Sequence, residues 1–164
     1  MGKRRVGLVR ILVGIVLCSI LAEGVAWAQR EHGHVAPHGG VLNVIGKELG
    51  HIEVLVREDR IEAWLLGGGE DTVRSVPIRA AEISLVVKIP GKGQRKLILK
   101  SDPLKLAGEG PGHCSHFVGR ADWLREVKEF TARGKVVFKG LPQELVIEYP
   151  RGYDPYHRAG QGHH

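Results

Sequence analysis

Two cysteines in 164 residues, Cys18 and Cys114, leave little scope for disulfide stapling. If the front of the chain is removed on export, Cys114 stands alone and no intrachain disulfide can hold the domain. It is then a buried structural residue packing as a small hydrophobe, or else a metal ligand, an intermolecular bridge or a reactive thiol. Long apolar runs are missing too: Glu23 and Gly24 interrupt the one over 11–21 before it reaches the roughly 20 residues that a bilayer-spanning helix needs. No Gly-x-Ser-x-Gly elbow occurs, and Gly67-Gly68-Gly69 does not open a helix with a phosphate-loop lysine. Nucleotide binding thus has no motif behind it. Pairing Cys114 with His116 or His51 for nucleophilic catalysis has none either, and the chain reads as a non-enzyme. Concentrated positive charge is also lacking. Of the formal +6, Lys3, Arg4, Arg5 and Arg10 against Glu23 account for half, so the chain beyond residue 28 carries +3 with its signs interspersed. Such a balance offers no stripe for nucleic acid.

Residues 1–28 have a charged start, an apolar middle, and Val25-Ala26-Trp27-Ala28 placing small residues at the minus-three and minus-one positions. This is the pattern of a secretory leader cleaved after Ala28, the alternative being an uncleaved anchor. The expected compartment is the periplasm or the exterior, with no stable membrane span after the leader is removed. Residues 29–40 read as a His-bearing flexible arm, 41–149 as the folded domain, and 150–164 as a flexible His-bearing tail.

Within the domain strand signals dominate. Val41–Ile45 is short and apolar, and Ile52, Val54 and Val56 alternate with their neighbours at the period of a half-buried strand. Glu58-Asp59 predicts a tight hairpin into 61–66, which the three glycines end. Further strands are expected at 73–78, 83–89, 96–100, 135–139 and 144–149, with turns at 90–93 and 140–143. One short amphipathic helix is expected over 122–133, where Trp123, Val127 and Phe130 share a face, Asp122 caps and Gly134 stops it. The fold class is therefore mainly β, an antiparallel β-sandwich or barrel-like domain with one short helix.

Nine histidines are what the chain has in excess. They cluster at His32, His34 and His38; at His51; at His113 and His116 around Cys114; and at His157, His163 and His164. Imidazole and thiolate suit zinc or copper first, then nickel or cobalt. In an extended His113-Cys114-Ser115-His116 segment, Cys114 and His116 point to one face. Two ligands need completion, and His38 and His51, each beside glycine, are the candidates. Glu53 shares the His51 face as a ligand or an outer-shell acceptor.

The stretch Pro37-His38-Gly39-Gly40-Val41 through Gly50-His51-Ile52-Glu53-Val54-Leu55-Val56 resembles small His-containing β-modules associated with periplasmic adaptor subunits of cobalt-zinc-cadmium-type heavy-metal efflux systems. The resemblance covers 37–66 and implies metal contact for His38 and His51 only. Expected from the whole is an exported transition-metal-binding protein acting as buffer, sensor or delivery module, with ligands His38, His51, Cys114 and His116. Its partner would be an efflux adaptor or another envelope protein. The alternative is a non-catalytic structural or protein-interaction β-domain that uses a sheet edge or the Trp64 and Trp123 surface.

Overall fold

The computed structural model describes residues 35–69 and 71–156. The expected leader, Cys18 and the histidines His32, His34, His157, His163 and His164 lie outside the described residues. Eight strands account for the domain: β1 Val41–Ile45, β2 Gly50–Arg57, β3 Arg60–Leu66, β4 Glu82–Ile89, β5 Gly93–Ser101, β6 His116–Arg120, β7 Phe130–Phe138 and β8 Leu141–Tyr149. They form one antiparallel sheet in the order β1-β2-β3-β6-β5-β4-β7-β8, curled until it nearly closes as a barrel. No helix among the described residues is long and apolar enough to cross a membrane.

Alternation decides which side of the wall each residue takes. Ile52 and Val54 on β2, Ala63 and Leu65 on β3, Leu85 and Val87 on β4, and Phe117 on β6 all enter one buried core. Full burial of each Leu, Ile or Phe is worth about 1.5–3 kcal/mol. Their neighbours Glu53, Trp64 and His116 consequently take the opposite, outer face of the wall.

The barrel's last gap is bridged by a side chain. Asn43 of β1 is fully buried. Its Oδ1 accepts from the Glu148 N–H of β8 at 2.8 Å, and its Nδ2 donates to the Val41 carbonyl at 3.1 Å. The chain after β8 then turns back along β1, where the Val44 N–H donates to the Tyr153 carbonyl at 2.7 Å. Two strand edges that would otherwise be open to another chain are satisfied this way.

The helix expected over 122–133 is not formed. Asp122–Glu126 makes a short 3-10 turn that buries Leu124, and the chain from Phe130 is β7. The spacing of Trp123, Val127 and Phe130 suits a helix, but Phe130 also opens a period-two series through Ala132, Gly134, Val136 and Phe138. That series pairs with β4 on one side and β8 on the other, so backbone groups are satisfied along both edges while the apolar set faces the core. Gly134, expected as a helix stop, is needed inside the strand: a Cβ there would lie 2.7 Å from both the Leu85 Cδ2 and the Ser84 carbonyl. The expected strand at 73–78 is reduced to isolated bridges, Leu66 with Ser75 and Ile78 with Cys114. Pro77 in that run has no N–H to give a ladder.

Candidate functional site

Glu53, Trp64 and His116 are successive partners across β2, β3 and β6. All three lie on the outer face, yet all three are buried, because neighbouring segments cover them. The residues before β1 supply one cover. Gly40 packs so close to β2 that a Cβ would sit 2.7 Å from the Val54 carbonyl and 3.0 Å from Glu53 Cγ. That approach brings the His38 and Gly40 N–H groups onto Glu53 Oε1, at 2.9 and 2.8 Å. The other carboxylate oxygen, Oε2, lies 2.7 Å from His38 Nδ1. Glu53 is wholly buried, so this acceptor cannot turn to solvent instead.

Once Nδ1 carries the shared hydrogen, the lone pair of His38 is on Nε2, on the far side of the ring from Glu53. The His38 side chain is one-third exposed. Its ring stacks on Trp64 with centroids 4.2 Å apart and planes 6° from parallel. His116 stacks on the same indole at 4.8 Å and 16°. Because Glu53 and His116 are the lateral neighbours of Trp64 on opposite strands, the two imidazoles flank the indole and do not face each other.

His116 is held by the loop that follows β5. Its Nδ1 lies 3.3 Å from the Asp102 carbonyl and 3.4 Å from Asp102 Oδ2. Its Nε2 is buried without a hydrogen bond, 3.4 Å from Glu62 Oε2. Glu62 in turn accepts from the Arg60 guanidinium through Oε1.

Of the four residues expected to share an ion, His38 and His116 are brought to the same indole, while His51 and Cys114 are held elsewhere. His51 is buried on the outer face of β2, with Nδ1 2.9 Å from the Gly67 carbonyl. Cys114 belongs to the barrel core, and its Sγ donates to the His116 carbonyl. Ser115 forms a bend, which breaks the alternation that would have put Cys114 and His116 on one face. Among the described residues, no three His, Cys, Asp or Glu side chains are grouped as metal ligands would be. Nor is Trp64 an open surface for a protein partner: it is 7% exposed beneath its two histidines.

Neither a family model, nor a curated protein, nor a solved structure matches the chain.

Residue-by-residue reading of the sequence misses Glu62 and Asp102, and names Trp64 only as part of a partner surface with Trp123. A signal for Glu62 and for the place of Trp64 was present. Counted from the hairpin at 58–59, Glu62 and Trp64 fall on the same face as Glu53, which puts a polar and aromatic row opposite the apolar one. Asp102 arrives through tertiary packing of the loop after β5 and has no local signature. Glu53 proves to be an acceptor for His38, not for His51, the histidine closer to it in sequence.

Proposed function

We propose that this chain is an exported module that binds a transition ion of the zinc or copper class and acts in its buffering or delivery. One observation carries the reading: a wholly buried carboxylate fixes His38 through Nδ1 and leaves Nε2 as the available donor. Histidines that ligate metals are ordinarily held in this way, because a carboxylate on the second nitrogen sets the tautomer, orients the ring and raises its basicity. A histidine needed only for packing beside Trp64 would not require a buried anion whose three contacts all go to the segment that bears it. Two more imidazoles, His32 and His34, precede His38 in the sequence, and a partly exposed ligand such as His38 suits an ion that must be passed on.

Calorimetric titration of the apoprotein with zinc and with copper tests the reading. Glu53→Gln, which keeps an acceptor but removes the charge, is expected to weaken binding about 10- to 100-fold, and His38→Asn at least as much. Binding by both variants at wild-type affinity, with wild-type circular dichroism, would overturn it.

A further inference from the structure

The wall formed by β5, β4 and β7 differs from the covered β2-β3-β6 wall in being bare and cationic. Alternation turns Lys88 of β4, Lys96 and Lys100 of β5, and Arg133 and Lys135 of β7 to its outer face, and all five are exposed. They are scattered in the sequence, and the strand register gathers them. Val86 lies directly between Lys96 on β5 and Arg133 on β7, and Ile98 lies between Lys96 and Lys100 on one face of β5. Glu82, opposite Lys100, is the one carboxylate that these three strands turn outward. Among the described residues, Arg133 alone of the five cations is ion-paired, with Glu144 of β8 at 2.8 Å. The apolar residues between them are open: Val86 is 51%, Ile98 36% and Val137 58% exposed. Beside Val86 a shallow depression of about 270 Å³ is bordered by Ser84, Gln94 and Lys96. Like charges on neighbouring strands repel, and branched apolar side chains left in water forgo their burial energy. A partner that brings carboxylates and an apolar side chain together offsets both.

We infer that this face docks an acidic segment of another protein, with an apolar side chain of the partner in the depression beside Val86 and carboxylates on either side of it meeting Lys96 and Arg133. An apolar centre with a charged rim is the usual anatomy of a protein interface, and a field of one sign speeds the encounter with an oppositely charged partner. Docking is through side chains and not by strand addition, because Asn43 and the chain after β8 already occupy the edges of β1 and β8. An anionic bilayer suits the face less well. The wall of a nearly closed barrel curves away from a plane, Glu82 and Glu144 stand among the cations, and these strands turn no Tyr or Trp outward to seat among headgroups. The surface is neither a sheet edge nor the Trp64 and Trp123 region, and the inference is independent of the metal-binding reading.

Fluorescence anisotropy with the full-length protein tests the inference. The probe is a fluorescein-labelled peptide repeating Glu-Ser-Leu-Ser-Glu, which when extended sets Leu between two carboxylates on one face; its counterpart carries Lys in place of Glu. The wild type is expected to bind the acidic peptide at least about 10-fold more tightly than the basic one in low salt, with the difference shrinking as salt is added. Lys96→Glu combined with Arg133→Glu should weaken acidic-peptide binding at least about 10-fold, with circular dichroism and zinc uptake unchanged. Val86→Ser should weaken it too while leaving its salt dependence intact. Equal affinity for the two peptides, or wild-type affinity in the Lys96→Glu, Arg133→Glu chain, would overturn the inference. So would phosphatidylglycerol vesicles that bind through Lys96 and Arg133 when the acidic peptide does not, since the face would then belong to a lipid surface. His38→Asn should leave peptide binding at the wild-type level, so loss of the metal-binding reading and loss of this one are told apart.

Discussion

Burial pushes the Cys114 thiol up from its ordinary range, and backbone hydrogen bonding from His116 and Asp102 only partly offsets that. A protonated thiol in an apolar core is neither a nucleophile nor a ready metal ligand. In a Cys18→Ser chain, alkylation at pH 8 should be slow in the native state and rapid in denaturant; equal rates would contradict the placement. Glu109 illustrates the opposite case. Burial raises its carboxyl, but donation from the Ser115 hydroxyl and from the Leu104 and Ser115 N–H groups outweighs burial and holds it below the usual carboxylate range. A depressed folded-state value contributes stability that is present above the ordinary range and lost as pH falls through the lowered value. Glu109→Gln should therefore lower the urea midpoint near neutrality by an amount equivalent to about 1–2 kcal/mol, with the gap to wild type closing in acid. A constant gap across the same pH series would show that the carboxylate charge is not what the loop needs.

Strands legible in the sequence are those whose alternation has no rival. The β2–β3 hairpin and the β4–β5 hairpin fall where period two and turn residues agree. Ambiguity begins where one apolar residue serves two periods, as Phe130 does, and the decision rests with the neighbours on either side of the sheet. β6 was not legible because it is only five residues long and Gly119 interrupts its apolar pattern. The site was half legible for a related reason. His38 and His116 are recognisable as chemistry-bearing residues, but the bend at Ser115 and the stacking on Trp64 follow from packing across strands distant in sequence. Two substitutions test the elements. Gly134→Ala should cost about 1–3 kcal/mol through the clash with Leu85 and the Ser84 carbonyl, and Asn43→Leu should cost about as much by stranding the Glu148 N–H at the seam. Denaturant midpoints measure both. An Asn43→Leu chain as stable as wild type would mean that the seam is held by packing alone.

The described residues form a nearly closed barrel filled by its own side chains, with Phe117, Phe138, Ile52, Leu65, Leu85 and Leu99 fully buried. An eight-stranded wall of this kind leaves room inside for side chains or for one small ligand, and here the side chains occupy it. The candidate site accordingly lies outside, on the β2-β3-β6 wall, where an arm and a loop convert one strip of outer surface into buried polar ground. That arrangement also accounts for Glu53 and Glu62 on strands that otherwise turn apolar residues inward: each belongs to an imidazole. The most direct test of the central claim is zinc-edge X-ray absorption on the zinc-loaded, full-length protein. The account predicts a first shell of nitrogen and oxygen at about 2.0–2.1 Å with imidazole scattering behind it; a sulfur shell near 2.3 Å, or zinc present only as the hydrated ion, would contradict it.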